Sequence, residues 1–192
     1  MAPRFKDNVF ESFCAEQWSL ARDLTQRSDI AQLVPLRGDP PTAYVLLLSC
    51  LGLVRRGGEV RRGGPFVLEF HFAPDYLRAV PNPFEVVRWV LPQDVFHPNI
   101  GRGRNPGGPI GICVGTIKPG TSIVDLTMQA WEIVTWTKVN AREDDALARD
   151  VCPWARSNPD AYPVDRRPLF RAPLAIEAVP PAGVTPAPEV DR

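Results

Sequence analysis

The sequence predicts an α+β fold: an N-terminal helix, a four-stranded antiparallel meander, a long glycine-rich loop and then shortened C-terminal helices. Three observations carry that expectation. Apolar side chains recur at helical spacing from residue 8 to residue 27. Runs rich in branched and aromatic residues follow in sequence order, each joined to the next by a short connection, as in a meander. A second apolar helical pattern then opens at Ile123.

Over residues 8 to 27, Phe10, Phe13, Cys14, Leu20, Ala21 and Leu24 gather along one helical face. Ile30 to Leu36 reads as a short first strand, stopped by Gly38-Asp39-Pro40-Pro41. Tyr44 to Val54 and Phe66 to Phe72 read as the next two strands, joined through Arg55 to Gly64, whose glycines permit a tight reversal. Phe84 to Leu91 is the fourth. Ile123 to Val139 predicts a mostly buried helix, with Asp125 placed to favour the positive end of its dipole. Glu143 to Trp154 predicts another, ending before Ser157-Asn158-Pro159-Asp160. Beyond Tyr162, prolines at 163, 168, 173, 180, 181, 186 and 188 exclude a long helix. The chain therefore divides into one domain over residues 1–165 and a Pro-rich, partly disordered tail over 166–192.

Composition excludes several function classes. The 192 residues suit one domain of about 150 with flexible ends. Lys and Arg total 22 against 22 Asp and Glu, so the global basic field of a nucleic-acid binder is missing. The longest apolar run, Ala43 to Leu51, is broken by Ser49 and falls short of the roughly 20 residues that cross a bilayer. With no apolar signal region after Met-Ala-Pro-Arg-Phe-Lys-Asp, a cytoplasmic location is expected. Cys14, Cys50, Cys113 and Cys152 are widely spaced and the chain has only two histidines, so neither a metal site nor a disulfide framework is expected. Lysine occurs only at positions 6, 118 and 138, which leaves few internal acceptor amines.

The chemistry is concentrated in His97-Pro98-Asn99-Ile100 and, after a glycine-rich stretch, Gly111-Ile112-Cys113-Val114. A thiolate is a good nucleophile near neutral pH, and a neutral amide stabilises the tetrahedral oxyanion it generates. The pairing points to acyl transfer without a catalytic histidine. The plainer readings stand beside it: Cys113 between Ile112 and Val114 as a core thiol, and Asn99 as a loop former.

These two segments resemble the E2 ubiquitin-conjugating enzyme family, in which His-Pro-Asn precedes a Gly-x-Ile-Cys catalytic segment. The resemblance extends back through Gly63 to Phe72 and Pro74-Asp75-Tyr76. It extends forward through Asp125-Leu126-Thr127-Met128 and Asp144-Asp145-Ala146-Leu147, the latter similar to the family's Asp-Asp-Pro-Leu. It implies a UBC-like fold over residues 1–165. It implies that Cys113 accepts the C-terminus of a ubiquitin-like protein from an E1-like activating enzyme as a thioester and yields it to an amine, a lysine of a target protein. Asn99 then supports the oxyanion, His97 and Pro98 hold the loop in place, and Asp145 orients or helps deprotonate the incoming lysine. No cofactor or metal is implied, since ATP is used by the E1-like partner. Lys118, five residues past Cys113, is the expected site of self-modification. A monomer or a complex with the E1-like enzyme is implied, with the first helix as docking element.

The departures are informative. Asn99 and Cys113 are 14 positions apart, several more than in the family, and the excess lies in Gly101 to Pro109. Gly115 stands where an acidic residue is usual, and Thr121 to Val124 replaces the Trp-Ser-Pro-Ala that helps dock ligases, so ligase docking of that kind is not implied. With the arginine-rich composition, these features resemble the divergent E2-like proteins of bacterial ubiquitination-like operons, some of which act in antiphage defence. A non-catalytic scaffold of the same fold, binding an E1-like or ubiquitin-like partner, is the alternative. A cysteine hydrolase ranks last, because it needs a base beside Cys113.

Overall fold

Asp7 opens the first helix by accepting the Phe10 N–H on its side chain, and the helix, α1 (Asn8–Arg27), stops at extended Ser28. The structure, a computed structural model, describes residues 7–80, 82–105 and 107–171. Along α1 the buried residues are Phe10, Cys14, Gln17, Ala21 and Leu24, one face of the helix. That face packs on an antiparallel sheet together with α3 (Ile123–Val134), whose Ile123, Leu126, Ala130 and Ile133 are fully buried. Gln17, a polar residue on the apolar face, accepts the Ile123 N–H at 2.8 Å and so satisfies an orphan donor at the start of α3.

The sheet runs β1-β2-β5-β6-β8-β7, antiparallel throughout, from β1 (Ala31–Gly38), β2 (Pro41–Leu48), β5 (Phe66–His71), β6 (Val87–Leu91), β7 (Ile100–Gly101) and β8 (Gly111–Ile112). The expected four-stranded meander is thus present as β1, β2, β5 and β6, and two short strands extend it. In β2, Tyr44, Leu46 and Leu48 turn inward, and in β5, Phe66, Leu68 and Phe70 do the same. This is the period-two alternation of a sheet with one covered face. Fully burying each of these large side chains stabilises the fold by about 1.5–3 kcal/mol.

Four expected elements are revised. Tyr44 to Val54 is not one strand: β2 ends at Leu48, and β3 (Gly52–Arg56) leaves the sheet to pair only with β4 (Glu59–Gly63). The break at Ser49-Cys50-Leu51 has a tertiary cause. Asp165 takes the Leu51 N–H at 2.8 Å and Arg167 donates to the Ser49 carbonyl at 2.9 Å, so backbone groups that would continue the strand are bound by the C-terminal segment. The expected reversal at Arg55–Gly64 is accordingly a hairpin in its own right, turning at Gly57 and Gly58 with φ of +58° and +84°.

Phe84 to Leu91 begins with a helical turn, α2 (Pro83–Val86), capped by the Asn82 side chain, before β6. The helix from Ile123 ends at Val134, not Val139, because Trp136 turns the chain at φ +63°. Glu143 to Trp154 is helical only at its end, as a 3₁₀ turn at Arg149–Val151 and α4 (Cys152–Ser157). Its earlier residues direct their N–H groups elsewhere, Leu147 and Ala148 both donating to the Pro98 carbonyl.

Residues 163–171 return from the end of α3 to the end of α1. Val164 N–H donates to the Thr135 carbonyl at 2.8 Å, Leu169 is buried, and Arg171 N–H donates to the Arg27 carbonyl at 2.9 Å. The rest of the Pro-rich tail lies outside the described residues. Asp165 is the buried pin of this segment: Arg167 beside it, with the Leu51 and Arg167 N–H groups, holds its carboxyl down at about 2. Asp165→Ala is expected to cost about 1–3 kcal/mol by urea denaturation, since the Arg167 left behind is half-exposed and regains water. No helix among the described residues is long and apolar enough to cross a membrane.

Candidate active site

The segment between β6 and β7 carries His97, Pro98 and Asn99, and β3 secures its approach. Arg55 N–H donates to the Asp94 carbonyl and Phe96 N–H to the Leu53 carbonyl, at 2.8 and 2.9 Å. The hairpin that the sequence disguised as a loop therefore positions the tripeptide.

Within the tripeptide, nearly every polar group is assigned to a different neighbour. His97 Nδ1 accepts the Asn99 N–H at 3.0 Å, and Ile100 N–H returns to the His97 carbonyl at 3.1 Å, closing a tight turn. The Pro98 carbonyl receives Leu147 and Ala148 at 2.9 and 3.0 Å. The Asn99 carbonyl receives the Cys113 N–H at 2.8 Å, and Asn99 Oδ1 receives the Asn140 N–H at 3.1 Å. Asn140 Nδ2 in turn donates to Asp145 Oδ2 at 2.8 Å. Asn99 thus ties together the strand leading to Cys113, the segment after α3 and, through Asn140, the Asp145 loop.

That network settles the orientation of the Asn99 amide. The Asn140 N–H is a donor, so Oδ1 faces it and Nδ2 is the free end. Among the described residues, Nδ2 has no hydrogen-bond partner.

His97 is not placed to act as a base. It is buried, and the Trp136 ring lies edge-on to it at 4.6 Å. Nδ1 is occupied, and the ring's other nitrogen faces the Lys138 backbone without completing a hydrogen bond of ordinary length and angle. Burial pushes its pKa down to about 3 from the ordinary 6.5. The unfolded chain therefore binds a proton that the folded one refuses between those values, so stability is full above about pH 6.5 and falls as pH drops toward 3. The expected slope approaches about 1.4 kcal/mol per pH unit inside that window. His97→Gln, which keeps an acceptor without the charge, should flatten it in urea denaturations run from neutral to acid pH.

Cys113 is the partly exposed cysteine of the four, while Cys14, Cys50 and Cys152 are buried. Burial pushes Cys14 up to about 11 and Cys50 up to about 12, and raises Cys152 as well, which keeps those thiols protonated. Ile112 and Val114 on either side point into the core, so the extended chain turns the Cys113 side chain outward. The two aspartates expected nearby behave differently. Exposed Asp144 pairs with Arg142 at 2.9 Å, which lowers its pKa, whereas Asp145 is held by Asn140 and so belongs to the Asn99 network.

The glycine-rich excess is a folded β7–β8 hairpin loop. Arg102 donates to the Gly108 carbonyl, Asn105 N–H to the Arg102 carbonyl at 3.1 Å and Gly103 N–H to the Leu147 carbonyl at 3.1 Å. The loop walls a groove of about 830 Å³ whose floor includes Phe84, Trp89, Ile110 and Gly111. Gly111 lets the Phe84 ring lie close over it, since a Cβ there would stand 2.9 Å from the ring and displace it.

Sequence reasoning missed Asn140, which has no motif of its own and is recruited by a contact 41 residues distant. Among the described residues no group of three His, Cys, Asp or Glu side chains gathers to hold a metal ion. Comparison with known proteins finds no protein-family model, curated protein or solved structure that matches this chain.

Proposed function

We propose that the chain is an E2-like conjugating enzyme with a UBC-like fold, which accepts a ubiquitin-like protein from an E1-like enzyme as a Cys113 thioester and passes it to a lysine of a target. The observation that carries the reading is the double attachment of Asn99. Its carbonyl holds the N–H of Cys113, the one partly exposed cysteine, at 2.8 Å, while its side-chain Oδ1 is taken by the Asn140 N–H, which leaves Nδ2 without a partner among the described residues.

In this reading the Cys113 thiolate attacks the thioester carbonyl on the activating enzyme, and that enzyme's thiolate leaves. A neutral amine then attacks the new thioester, Nδ2 of Asn99 donates to the oxyanion, the attacking nitrogen releases its surplus proton to solvent, and Cys113 leaves as thiolate as the isopeptide forms. The thioester already carries the activation energy, so positioning and oxyanion stabilisation are the main demands. Asp145 attracts and orients the incoming ammonium and takes its proton before attack. The hydrolase reading finds no support in the two histidines: His97 is buried with Nδ1 occupied, and His71, on β5, has Nε2 on Glu69 at 2.8 Å and its other ring nitrogen buried without a partner among the described residues. The resemblance to operon-encoded bacterial conjugation proteins makes antiphage defence the proposed setting.

The test is reconstitution with an E1-like enzyme, its ubiquitin-like protein and ATP, omitting each in turn. An adduct that needs all three and is released by thiol reductant supports the reading. If the activating enzyme charges itself and this chain stays unmodified, the scaffold reading replaces it.

A further inference from the structure

Three lysines stand among 22 basic residues, so the choice of acceptor for an acyl group carried on Cys113 is narrow. Guanidinium groups, which make every described salt bridge except the one formed by His71, are never deprotonated and do not accept acyl groups. Of the lysines, Lys6 lies outside the described residues, and Lys118 sits in a turn whose backbone is tied to Thr121 Oγ1 on both its N–H and its carbonyl.

Lys138 is placed differently. Its N–H donates to the Glu132 carbonyl at 2.9 Å, which fixes its backbone against the end of α3 and beside buried His97. Two residues on, Asn140 is latched to the Asn99 side chain, while the Asn99 carbonyl holds Cys113. Asn99 thereby sets the segments 113–115 and 138–140 side by side, and the Lys138 amine meets Gly115: a Cβ built there would lie 3.8 Å from Nζ. Gly115 is two residues past Cys113, a span of at most about 7 Å, which is within the sweep of a lysine side chain. Among the described residues Nζ has no hydrogen-bond or ion-pair partner to hold it away. Gly115, at φ +94°, presents no side chain between them.

We propose that Lys138 is the self-acylation site of this protein, the amine that takes the acyl group from Cys113 when no external acceptor is bound. The proposal rests on the transferase reading and goes beyond it by naming an internal acceptor that sequence distance conceals. In the step, the deprotonated Nζ attacks the Cys113 thioester carbonyl. The C–N bond forms, the C–S bond breaks, the amine's second proton goes to solvent, and Cys113 leaves as thiolate. The product is a Lys138 amide that thiol reductants do not cleave.

The experiment needs no partner protein. The full chain is incubated with the benzyl thioester of N-acetylglycine at mildly alkaline pH, and acyl groups are mapped by mass spectrometry with and without thiol reductant in wild type, Cys113→Ala, Lys138→Arg and Lys118→Arg. The expected result is a thiol-labile acyl group on Cys113 that passes to a thiol-resistant one on Lys138. Lys138 labelling should fall by more than about ten-fold in Cys113→Ala, as expected when proximity supplies the rate, and should be unchanged in Lys118→Arg. In Lys138→Arg the acyl group should persist on Cys113. Transfer to Lys118 or Lys6 in preference, or Lys138 labelling that is independent of Cys113, overturns the proposal and leaves the transferase reading intact. Absence of any acyl group on Cys113 overturns both.

Discussion

Replacing Asn99 by alanine is expected to slow discharge of a preformed Cys113 thioester to free lysine by about 10²–10³-fold, the loss that follows removal of an oxyanion donor. The same change breaks the latch to the Asn140 N–H, worth about 1 kcal/mol of stability. Asn99→Asp separates the two contributions. Its carboxylate still accepts from Asn140 but donates nothing to the oxyanion, so it should discharge as slowly as the alanine variant while unfolding at close to the wild-type urea midpoint. Single-turnover discharge followed on non-reducing gels gives the rates. Wild-type discharge by the aspartate variant would reduce Asn99 to a purely structural part of the loop.

The largest effect on stability is expected at Trp136. It is buried at φ +63°, a conformation bulky residues rarely adopt, and it ends α3 where a glycine would ordinarily stand. Packing holds it there: the ring lies 4.6 Å from His97, 5.5 Å from Trp154 and 5.3 Å from Tyr162. Trp136→Ala should cost about 3–5 kcal/mol, a large part of a typical domain's stability. Trp136→Gly should cost about 1 kcal/mol less than the alanine variant, because glycine enters the left-handed region freely. That order reverses the usual preference for alanine over glycine near a helix. Urea denaturation of the pair checks it, and an alanine variant more stable than the glycine one would contradict the strain argument.

What the sequence conveyed follows from the range of the forces involved. Helix α1 was legible nearly to the residue, because twenty positions repeat one local pattern and Asp7 caps it. The failures share a distant cause. β2 stops where Asp165 and Arg167 bind its continuing backbone, and those partners lie 114 and 118 residues away. The end of α3 was illegible because tryptophan carries no helix-stop signal; only the aromatic pocket around it explains the turn. Residues 143 to 148 suggested a helix, but the Pro98 carbonyl takes the N–H groups of Leu147 and Ala148.

The site divides along the same line. His97, Asn99 and Cys113 could be named because their chemistry is local to short motifs, and the structure joins Asn99 to Cys113 directly and to Asp145 through Asn140. Asn140 and Lys138 belong to no motif, and only the fold brings them in.

The central claim is that Cys113 carries the acyl group. Its most direct measurement is intact-mass and non-reducing gel analysis of wild type, Cys113→Ser and Cys113→Ala after incubation with an E1-like enzyme, its ubiquitin-like protein and ATP. The account predicts a thiol-labile adduct in the wild type, a thiol-resistant oxyester in the serine variant and no adduct in the alanine variant. An adduct of undiminished yield in Cys113→Ala would contradict it.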